Sequence, residues 1–252
     1  MTKAIVVLQS QDAAALGTWQ AACLDSVRQW SDRRGYAYRF EGDEFFDRIP
    51  SELRSKFQSN VLLLSDLARL FWLQEVLDEG FEYAIWCDAD LLIFDNFLPT
   101  EVRESFGREC WIQPQGNRLR AYKKIHNAWL LFHRSSPVLS FYLDRALCLL
   151  ERATPPLVPQ FLGPKLLTAW HNIAPFNVEE QVGMLSPLSA KDLLNGGHES
   201  LELMREGHAA PIKALNLSGS YESRPSDGVC HGPEEYEALV EHLMVHGCTS
   251  RF

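Results

Sequence analysis

The sequence predicts a mixed α/β fold, with a mostly parallel central sheet flanked by helices. The chain opens with a β-α-β pattern, in which the apolar run Ala4–Leu8 and the alternating run Tyr36–Phe40 bracket a helical segment. A second helix, Val61–Glu79, is apolar nearly all round, as expected for a buried helix, and the strand-like run Tyr83–Trp86 follows it. Sheets of this kind bind ligands in a crevice at the carboxyl ends of their strands.

The composition fits one large domain, residues 1–252, and argues against several classes of partner. Hydrophobic residues make up 46% of the 252-residue chain, enough to bury a substantial core. The formal net charge of −9, with one short basic cluster, argues against bulk binding to nucleic acid or anionic membranes. An anionic small ligand would need a metal ion or local basic residues.

Cysteine usage and hydropathy predict a cytoplasmic protein. The six cysteines are scattered without a CxxC pair, which is typical of free thiols in a reducing compartment. No apolar run reaches the ~18–20 residues of a membrane span. The first apolar run, Ala4–Leu8, is too short for a signal peptide and lacks a cleavage region. We therefore expect no transmembrane segment.

The first helix and the first strand have recognisable ends. Apolar residues recur at helical spacing from Trp19 to Trp30, and the pattern ends at Gly35 after two arginines. The first strand ends in a polar break at Gln9 and Ser10. No GxGxxG follows that strand, so the dinucleotide fingerprint is absent.

Three polar residues, Ser65, Asp66 and Arg69, interrupt the apolar helix Val61–Glu79. Offsets of three and four put them on one face of the helix, and a buried polar face needs partners. Two alternatives remain open: Asp66 and Arg69 pair with each other, or both face the crevice, where Arg69 would meet a phosphate or a sugar.

The strand Tyr83–Trp86 leads into Asp88 and Asp90, which lie between two apolar runs. Unpaired carboxylates are costly to bury, so these two require a counter-charge or a metal ion. In extended backbone, residues i and i+2 point to the same side, which would direct both carboxylates at one point. Mg²⁺ and Mn²⁺ prefer such oxygen ligands and commonly bind a substrate phosphate as well. A solvated, Asp-rich turn is the alternative interpretation.

The second half of the chain continues the α/β pattern. Four basic residues fall within Arg118–Lys124, which we predict to be a loop, either solvated or a mobile flap that touches phosphate or an acidic acceptor. The proline-rich segment Thr154–Pro159 is predicted to be irregular. The other predicted elements are the strands Cys110–Gln113, Ala128–Phe132, Val182–Leu185 and Lys213–Leu217, and the helices Pro137–Leu150, Phe161–Trp170 and Pro233–His246.

Other candidate sites carry weaker signals. His242 and His246 have a spacing that can bind zinc, but the glutamate of HExxH is missing. Cys230 and His231 lack an evident orienting group for nucleophilic catalysis. Neither GxSxG nor GxxxxGK[ST] occurs, so serine-hydrolase and P-loop functions lose their main support.

Four ordered blocks resemble the GT-A glycosyltransferases that use a DXD motif. The likeness is greatest to family 32, the capsular-polysaccharide and Golgi-mannosyltransferase type, with echoes of families 8 and 34. The blocks are Ser65-Asp66-Leu67-Ala68-Arg69, Trp86-Cys87-Asp88-Ala89-Asp90, His126-Asn127-Ala128 and Leu162-Gly163-Pro164-Lys165-Leu166-Leu167-Thr168. A fifth block, Ala214–Tyr221, is similar to the late A-x-H-x-W-x-x-S-W segment, with Asn216 in place of a metal-binding histidine.

The resemblance implies a single GT-A, Rossmann-like domain with two functional halves. Residues 1–115 would bind the nucleotide sugar, and residues 116–252 would face the acceptor. The implied reaction transfers a sugar from a UDP- or GDP-sugar to a hydroxyl of a glycan, a lipid-linked sugar or a small molecule, with retention of anomeric configuration.

The resemblance also assigns roles to individual residues. The implied catalytic residues are Asp88, Asp90 and Arg69, and the implied ligands of Mn²⁺ or Mg²⁺ are Asp88, Asp90 and Asn216. The residues implied to bind the nucleotide sugar are Gln9, Ser10, Asp66, Arg69, Asp88 and Ala89, and those implied to face the acceptor are His126 and Asn127.

Three other functions are compatible with parts of this pattern. A nucleotidyltransferase shares the fold, and an inactive, transferase-like binding protein would explain Asn216. A HAD-like phosphohydrolase also uses DxD, but its motif follows the first strand and continues with a small or hydroxyl-bearing residue. Here the motif lies mid-chain and continues with Leu91 and Leu92.

Overall fold

Nine strands and eight α-helices are assigned in the computed structural model, within the described residues 4–12, 16–158 and 160–248. The strands are β1 (Ile5–Ser10), β2 (Ala37–Glu41), β3 (Tyr83–Cys87), β4 (Leu91–Ile93), β5 (Glu104–Gln115), β6 (Arg118–His133), β7 (Val178–Glu179), β8 (Val182–Met184) and β9 (Ala214–Asn216). The helices are α1 (Thr18–Arg34), α2 (Ser51–Lys56), α3 (Val61–Asp78), α4 (Pro137–Arg152), α5 (Leu166–Ile173), α6 (Pro187–Asn195), α7 (Glu199–Glu206) and α8 (Pro233–His246).

The central sheet has the strand order β2-β1-β3-β6-β5-β7. β1 is parallel to β2 and β3, and β5 is parallel to β7, whereas β6 runs antiparallel to both of its neighbours. Parallel pairings are therefore the majority in the described part of this sheet. The predicted mixed α/β fold, with a mostly parallel central sheet flanked by helices, is confirmed.

Apolar clusters cover both faces of the sheet. Val6 and Leu8 of β1 pack into the cluster that contains α3, while Val7 between them packs into the cluster that contains Trp30 of α1. Because both faces of β1 are buried, its sequence is a continuous apolar run without polar alternation. This is why the sequence indicated a buried strand at Ala4–Leu8.

A second, three-stranded sheet has the order β4-β9-β8. β4 follows β3 after a tight turn, and β9 pairs antiparallel to it with Leu91 opposite Asn216. This pairing places a residue from late in the chain directly beside the turn that contains Asp90.

The helix α3 delivers polar groups to the interior. It begins at Asn60, whose Oδ1 accepts a hydrogen bond from the Leu63 N–H at 3.2 Å. Most of its apolar side chains are buried, as are Asp66 and Arg69, whereas Val61 and Leu62 in its first turn are exposed.

The largest correction concerns residues 104–133. The predicted strands Cys110–Gln113 and Ala128–Phe132 belong to two longer strands, β5 and β6, and the basic segment Arg118–Lys124 is paired strand, not a loop. The two strands join through Gly116 and Asn117, with Gly116 at φ +63°. A Gly-Asn pair between strands is a hairpin signal, and it was the sequence feature that could have revealed this hairpin.

Other differences are local. The predicted helix Phe161–Trp170 is divided into a π-helical turn (Phe161–Lys165) and α5, with non-helical backbone at Gly163. The helices α2 and α6 and the strand β7 were not predicted. Within the proline-rich segment, Pro159 lies outside the described residues.

The cysteines and helices bear on two further expectations. All six cysteines are free thiols, as their scattered spacing predicted; the cytoplasmic location itself stays a prediction. In the described ranges, no helix combines the length and the apolar character needed to cross a bilayer.

Candidate active site

Asp88 and Asp90 lie in a tight turn at the carboxyl end of β3. The Leu91 N–H donates to the Asp88 carbonyl at 3.0 Å, which closes the turn. The backbone there is not the extended strand that the sequence argument assumed, so the two carboxylates face different partners. Asp88 faces α3, Asp90 faces β9, and Ala89 between them is partly exposed.

The end of β1 holds this turn through a hydrogen bond. Gln9 is fully buried; its Nε2 donates to the Asp88 carbonyl at 3.2 Å and its Oε1 accepts from the Tyr38 hydroxyl at 3.0 Å. Ser10 donates to the Gly42 carbonyl at 3.4 Å. Gln9 and Ser10 therefore lie at the predicted crevice edge, and both polar groups of Gln9 are engaged in joining β1, β2 and β3.

A buried ion cluster joins α3 to the turn. Arg69 is only 6% exposed, and its Nη1 lies 2.9 Å from Asp88 Oδ1 while its Nη2 lies 3.3 Å from Asp66 Oδ1. Its guanidinium carbon lies 5.0 Å from the centre of the Trp86 ring. The pairing of Arg69 with Asp66, the first of the two alternatives, is observed, and Arg69 also reaches the DXD turn; its contact with a phosphate or a sugar stays a prediction.

Hydrogen bonds to protein engage every nitrogen of the Arg69 guanidinium. Nε donates to the Ser65 carbonyl at 3.3 Å, Nη2 to the Ser65 hydroxyl at 3.3 Å and Nη1 to the Asn127 carbonyl at 2.9 Å. Together with the two carboxylates, these acceptors match the five N–H donors of an arginine. Arg69 is therefore committed to holding protein groups in place.

Asp66 is satisfied within the protein. Its Oδ1 accepts from Asn127 Nδ2 at 2.6 Å, and the Gly163 N–H also donates to its carboxyl group. Burial raises the pKa of Asp66 to about 6, against the opposing effect of Arg69. A Cβ atom at Gly163 would lie 2.7 Å from Asn127 Nδ2 and 2.9 Å from Asp66 Oδ2, so only glycine fits there.

Asp88 presents one oxygen to the protein. Its Oδ1 accepts from Trp86 Nε1 at 2.6 Å and pairs with Arg69, and its side chain is 24% exposed. Among the described residues, no hydrogen bond is made to Oδ2. The carboxylate is thus fixed through one oxygen, and the other remains available to a ligand.

Asp90 lies in a different environment. Its Oδ1 accepts from Asn216 Nδ2, and its Oδ2 accepts from the Gly219 N–H at 2.8 Å. In the described part of the chain, no lysine, arginine or histidine forms an ion pair with it. Burial, together with the negative charge of Asp88, raises the pKa of Asp90 to about 6. The fold therefore holds this carboxylate where a cation would stabilise its charge.

Asn216 lies beside Asp90 but turns its amide nitrogen toward the carboxylate. Its Oδ1 accepts from the Ser218 N–H at 2.9 Å, in the manner of an Asx turn, and Ser218 has a left-handed φ of 56°. In this orientation Asn216 is a hydrogen-bond donor to Asp90. Its predicted role as a metal ligand would require the amide to turn over.

His126 and Asn127 are separated by the sheet. As neighbours in β6 they point to opposite faces, and only Asn127 joins the ion cluster. His126 is fully buried, with its ring against Gly107: a Cβ atom there would lie 2.1 Å from His126 Cε1. Burial lowers the pKa of His126 to about 3. The structure does not bring His126 to the candidate site.

The charge balance of the site suits a divalent cation. Asp66, Asp88 and Asp90 share one buried cation, Arg69, so the ionised cluster has two negative charges in excess. Within the described residues, no group of three or more His, Cys, Asp and Glu side chains is arranged to hold a metal. The protein thus offers two carboxylates, a set suited to Mg²⁺ or Mn²⁺ whose remaining ligands are phosphate oxygens and water.

Comparisons with known proteins identify the fold. No protein-family model matches the chain, and no curated protein does. A solved glycosyltransferase involved in the glycosylation of the major capsid of PBCV-1 is 12% identical, with 94% of this chain and 98% of that chain covered and a TM-score of 0.50.

Two more solved structures are similar over most of their length. Mouse xyloside xylosyltransferase 1 is 12% identical over 87% of this chain and 99% of its own, with a TM-score of 0.48. The galactosyltransferase LgtC, solved with donor and acceptor sugar analogs, is 11% identical over 94% and 95%, with a TM-score of 0.45. The similarity to the capsid-glycosylation enzyme, with a TM-score of 0.50 over nearly the whole of both chains, shows that this chain has a GT-A fold.

We expect that replacing Arg69 with methionine destabilises the protein by about 3 kcal/mol, because the buried Asp66 and the partly buried Asp88 then lose their only cationic partner among the described residues. Chemical denaturation measures this loss. The control is Arg54→Met: the Arg54–Asp47 pair is 45% and 72% exposed, so its loss should cost less than about 1 kcal/mol. Equal effects of the two substitutions would show that the buried cluster contributes nothing particular to stability.

His126 should make stability depend on pH. The unfolded chain binds a proton at this histidine below about pH 6.5, whereas the folded protein binds one only near pH 3. The free energy of unfolding should therefore fall as pH falls.

Between pH 6.5 and 5, wild type should lose about 2 kcal/mol relative to His126→Gln, which does not titrate. Because Asp66 and Asp90 also titrate, the informative quantity is the difference between the two proteins in denaturation curves at each pH. The neighbouring His208 and Arg108 are present in both. Parallel curves would contradict the assignment of a neutral, buried His126.

Proposed function

We propose that this protein is a glycosyltransferase that moves a sugar from a UDP- or GDP-sugar to an acceptor hydroxyl. The observation that carries the proposal is the DXD turn of a GT-A fold, in which Asp88 keeps one oxygen available and the partly buried Asp90 has no cationic partner within the described ranges. Carboxylates in this state favour a cation that also binds a diphosphate.

Asp88 and Asp90 would hold Mn²⁺ or Mg²⁺. When bound, the ion would act as a Lewis acid that neutralises the charge developing on the diphosphate leaving group. The chain's own contribution is to fix both carboxylates before the donor arrives. Arg69 and Trp86 hold one oxygen of Asp88, and the Gly219 N–H holds one oxygen of Asp90.

We assign Arg69 a positioning role in place of direct contact with phosphate. All of the N–H donors of Arg69 are engaged by protein acceptors. The carboxylate of Asp66 is likewise engaged, because it accepts from Asn127, Arg69 and Gly163. Releasing either residue to contact a sugar would leave its partners buried and unpaired, which is costly. The cluster thus acts on the donor through Asp88.

The finer points of the proposal come from the sequence blocks. They support membership of family 32, retention of anomeric configuration, and a division into a donor half (residues 1–115) and an acceptor half (residues 116–252). The Asp90–Asn216 contact lies between the two halves. The stereochemistry can be tested by following the anomeric proton of the first-formed product by NMR.

A second candidate, a nucleotide-sugar-binding protein without transferase activity, is favoured by one observation. Asn216 directs an NH₂ group at Asp90, where it competes with a cation for the same oxygen. Such a protein, or a nucleotidyltransferase, would bind nucleoside diphosphates and release no sugar.

We expect that Asp90→Ala lowers sugar release by about 10²-fold or more. The variant lacks one of the two carboxylates that would hold the metal ion, and the ion would neutralise the charge on the leaving group. The assay is a panel of UDP- and GDP-sugars with Mn²⁺, scored for hydrolysis and for transfer. Asp47→Ala removes an exposed carboxylate elsewhere and serves as the control. Wild-type turnover by Asp90→Ala would remove Asp90 from the reaction, and binding without sugar release by the wild type would favour the second candidate.

Restoring a histidine at position 216 should tighten metal binding. Asn216→His replaces an amide that donates to Asp90 with an imidazole nitrogen that can ligate Mn²⁺, and we expect roughly tenfold higher affinity. Calorimetry and the EPR signal of free Mn²⁺ measure this without turnover. Unchanged affinity would place residue 216 outside the metal coordination sphere.

A further inference from the structure

The outer part of the β5–β6 hairpin has one basic and aromatic face. We call this the hairpin face and define it by Trp111, Gln113, Gln115, Arg118, Arg120 and Tyr122; the next pair on the same face, at its inner end, is Glu109 with Lys124. Its residues pair across the two strands as Trp111 with Tyr122 and Gln113 with Arg120, and alternate residues of a strand share a face. The Arg120 guanidinium lies 5.1 Å from the centre of the Tyr122 ring, as expected for side chains on the same side.

The opposite side of the hairpin is covered by the helix α7. The Cys110 thiol contacts the Leu203 carbonyl at 3.5 Å, and Lys123 Nζ donates to the Glu206 carbonyl at 3.4 Å. The hairpin face differs along its length: Trp111 at its inner end is buried, whereas Arg118 and Arg120 near the Gly116–Asn117 turn are exposed.

Positive charge on the hairpin face is largely unneutralised. The sequence from Cys110 to Asn127 contains no acidic residue, although the chain as a whole has a net charge of −9. In the described structure, no carboxylate lies within ion-pair distance of Arg118 or Arg120. Lys124 does have a partner, Glu109, at 3.6 Å. Exposed arginines without counter-ions attract anionic ligands.

The hairpin face is connected to the candidate active site by one turn of chain. The Trp111 ring packs against Tyr221, with ring centres 5.4 Å apart. Tyr221 ends the short helix Gly219–Tyr221, whose first N–H donates to Asp90. Of the aromatic rings at this border, Trp111 is buried, and the half-buried Tyr122 and Tyr221 offer apolar ring faces against which a sugar ring can pack.

We propose that the hairpin face binds the acceptor, and that the acceptor is a saccharide carrying negative charge. This inference rests on the proposed transferase function. Arg118 and Arg120 would bind the anionic groups, which can be carboxylate, sulfate or phosphate, while the aromatic residues orient a sugar ring toward the DXD turn. An anionic acceptor also accounts for a concentrated positive patch on a chain that is otherwise acidic.

Binding is measured by calorimetry at low ionic strength and without nucleotide sugar, so the result does not depend on turnover. The carboxylated probe is tetragalacturonic acid, and its fully methyl-esterified form is the neutral control. Sulfated and phosphorylated tetrasaccharides extend the panel, and an oligothymidylate tests for nucleic acid. We expect at least one anionic saccharide to bind at least about tenfold tighter than the neutral ester.

Matched variants test the face itself. Arg118→Glu and Arg120→Glu reverse a charge on the hairpin face, whereas Lys123→Glu makes the same change three residues away on the opposite side. We expect at least about tenfold weaker anionic-saccharide binding for each arginine variant and less than about twofold for Lys123→Glu.

Three outcomes would overturn the proposal: equal effects of all three variants, no preference for any anionic saccharide over the neutral ester, or equally tight binding of the oligothymidylate. Failure of the transferase function is seen separately, as absence of sugar release in the donor panel while saccharide binding persists.

Discussion

The ion cluster around Arg69 is the constraint on which the rest of the site depends. Its guanidinium contacts groups from α3, from the turn after β3 and from β6, and it is almost wholly removed from water. Ion pairs buried in this way contribute little net stability, because desolvation offsets the Coulomb attraction. What they contribute here is position: Asp88 is fixed through one oxygen while the other stays available for a ligand.

Within the part of the chain that the structure describes, Asp90 is held by neutral hydrogen-bond donors and not by a cation. Its partners are neutral donors, the Asn216 amide and the Gly219 N–H, and they come from residues more than a hundred positions later in the chain. Neutral donors orient a carboxylate without cancelling its charge. The pKa of Asp90 is therefore raised, because burial and the nearby charge of Asp88 both disfavour the ionised form. One carboxylate of the DXD turn is thus neutralised by protein, and the other is left for a ligand to neutralise.

The β5–β6 hairpin carries exposed positive charge outside the ion cluster. A long antiparallel pair rises from the central sheet beside the Gly219–Tyr221 turn, with its inner side packed on α7 and its outer side basic and aromatic. The outer side of the hairpin thus presents two exposed arginines, Arg118 and Arg120, on a chain whose net charge is −9. Carboxylates at the DXD turn and exposed arginines on the hairpin suit a reaction whose donor is bound through a metal and whose acceptor is bound through its own anionic groups.

The sequence by itself determined the elements whose signals are local. Strand β1 follows from an apolar run that is buried on both faces, helix α3 from a long, mostly apolar stretch, and the DXD position from two acids between apolar runs. Spacing alone also placed Asp66 and Arg69 on one helical face, which the structure bears out.

Only the tertiary structure decided what those residues touch. The number of acceptors around Arg69, the β4–β9 pairing that brings Asn216 to Asp90, and the opposite orientations of His126 and Asn127 all depend on strand register between distant segments. A register shift of one residue reverses every side chain on a strand, and no local pattern records it. The basic segment at 118–124 was expected to be a loop from its composition, whereas pairing with β5 makes it a strand; the Gly116–Asn117 turn was the one local signal of that pairing.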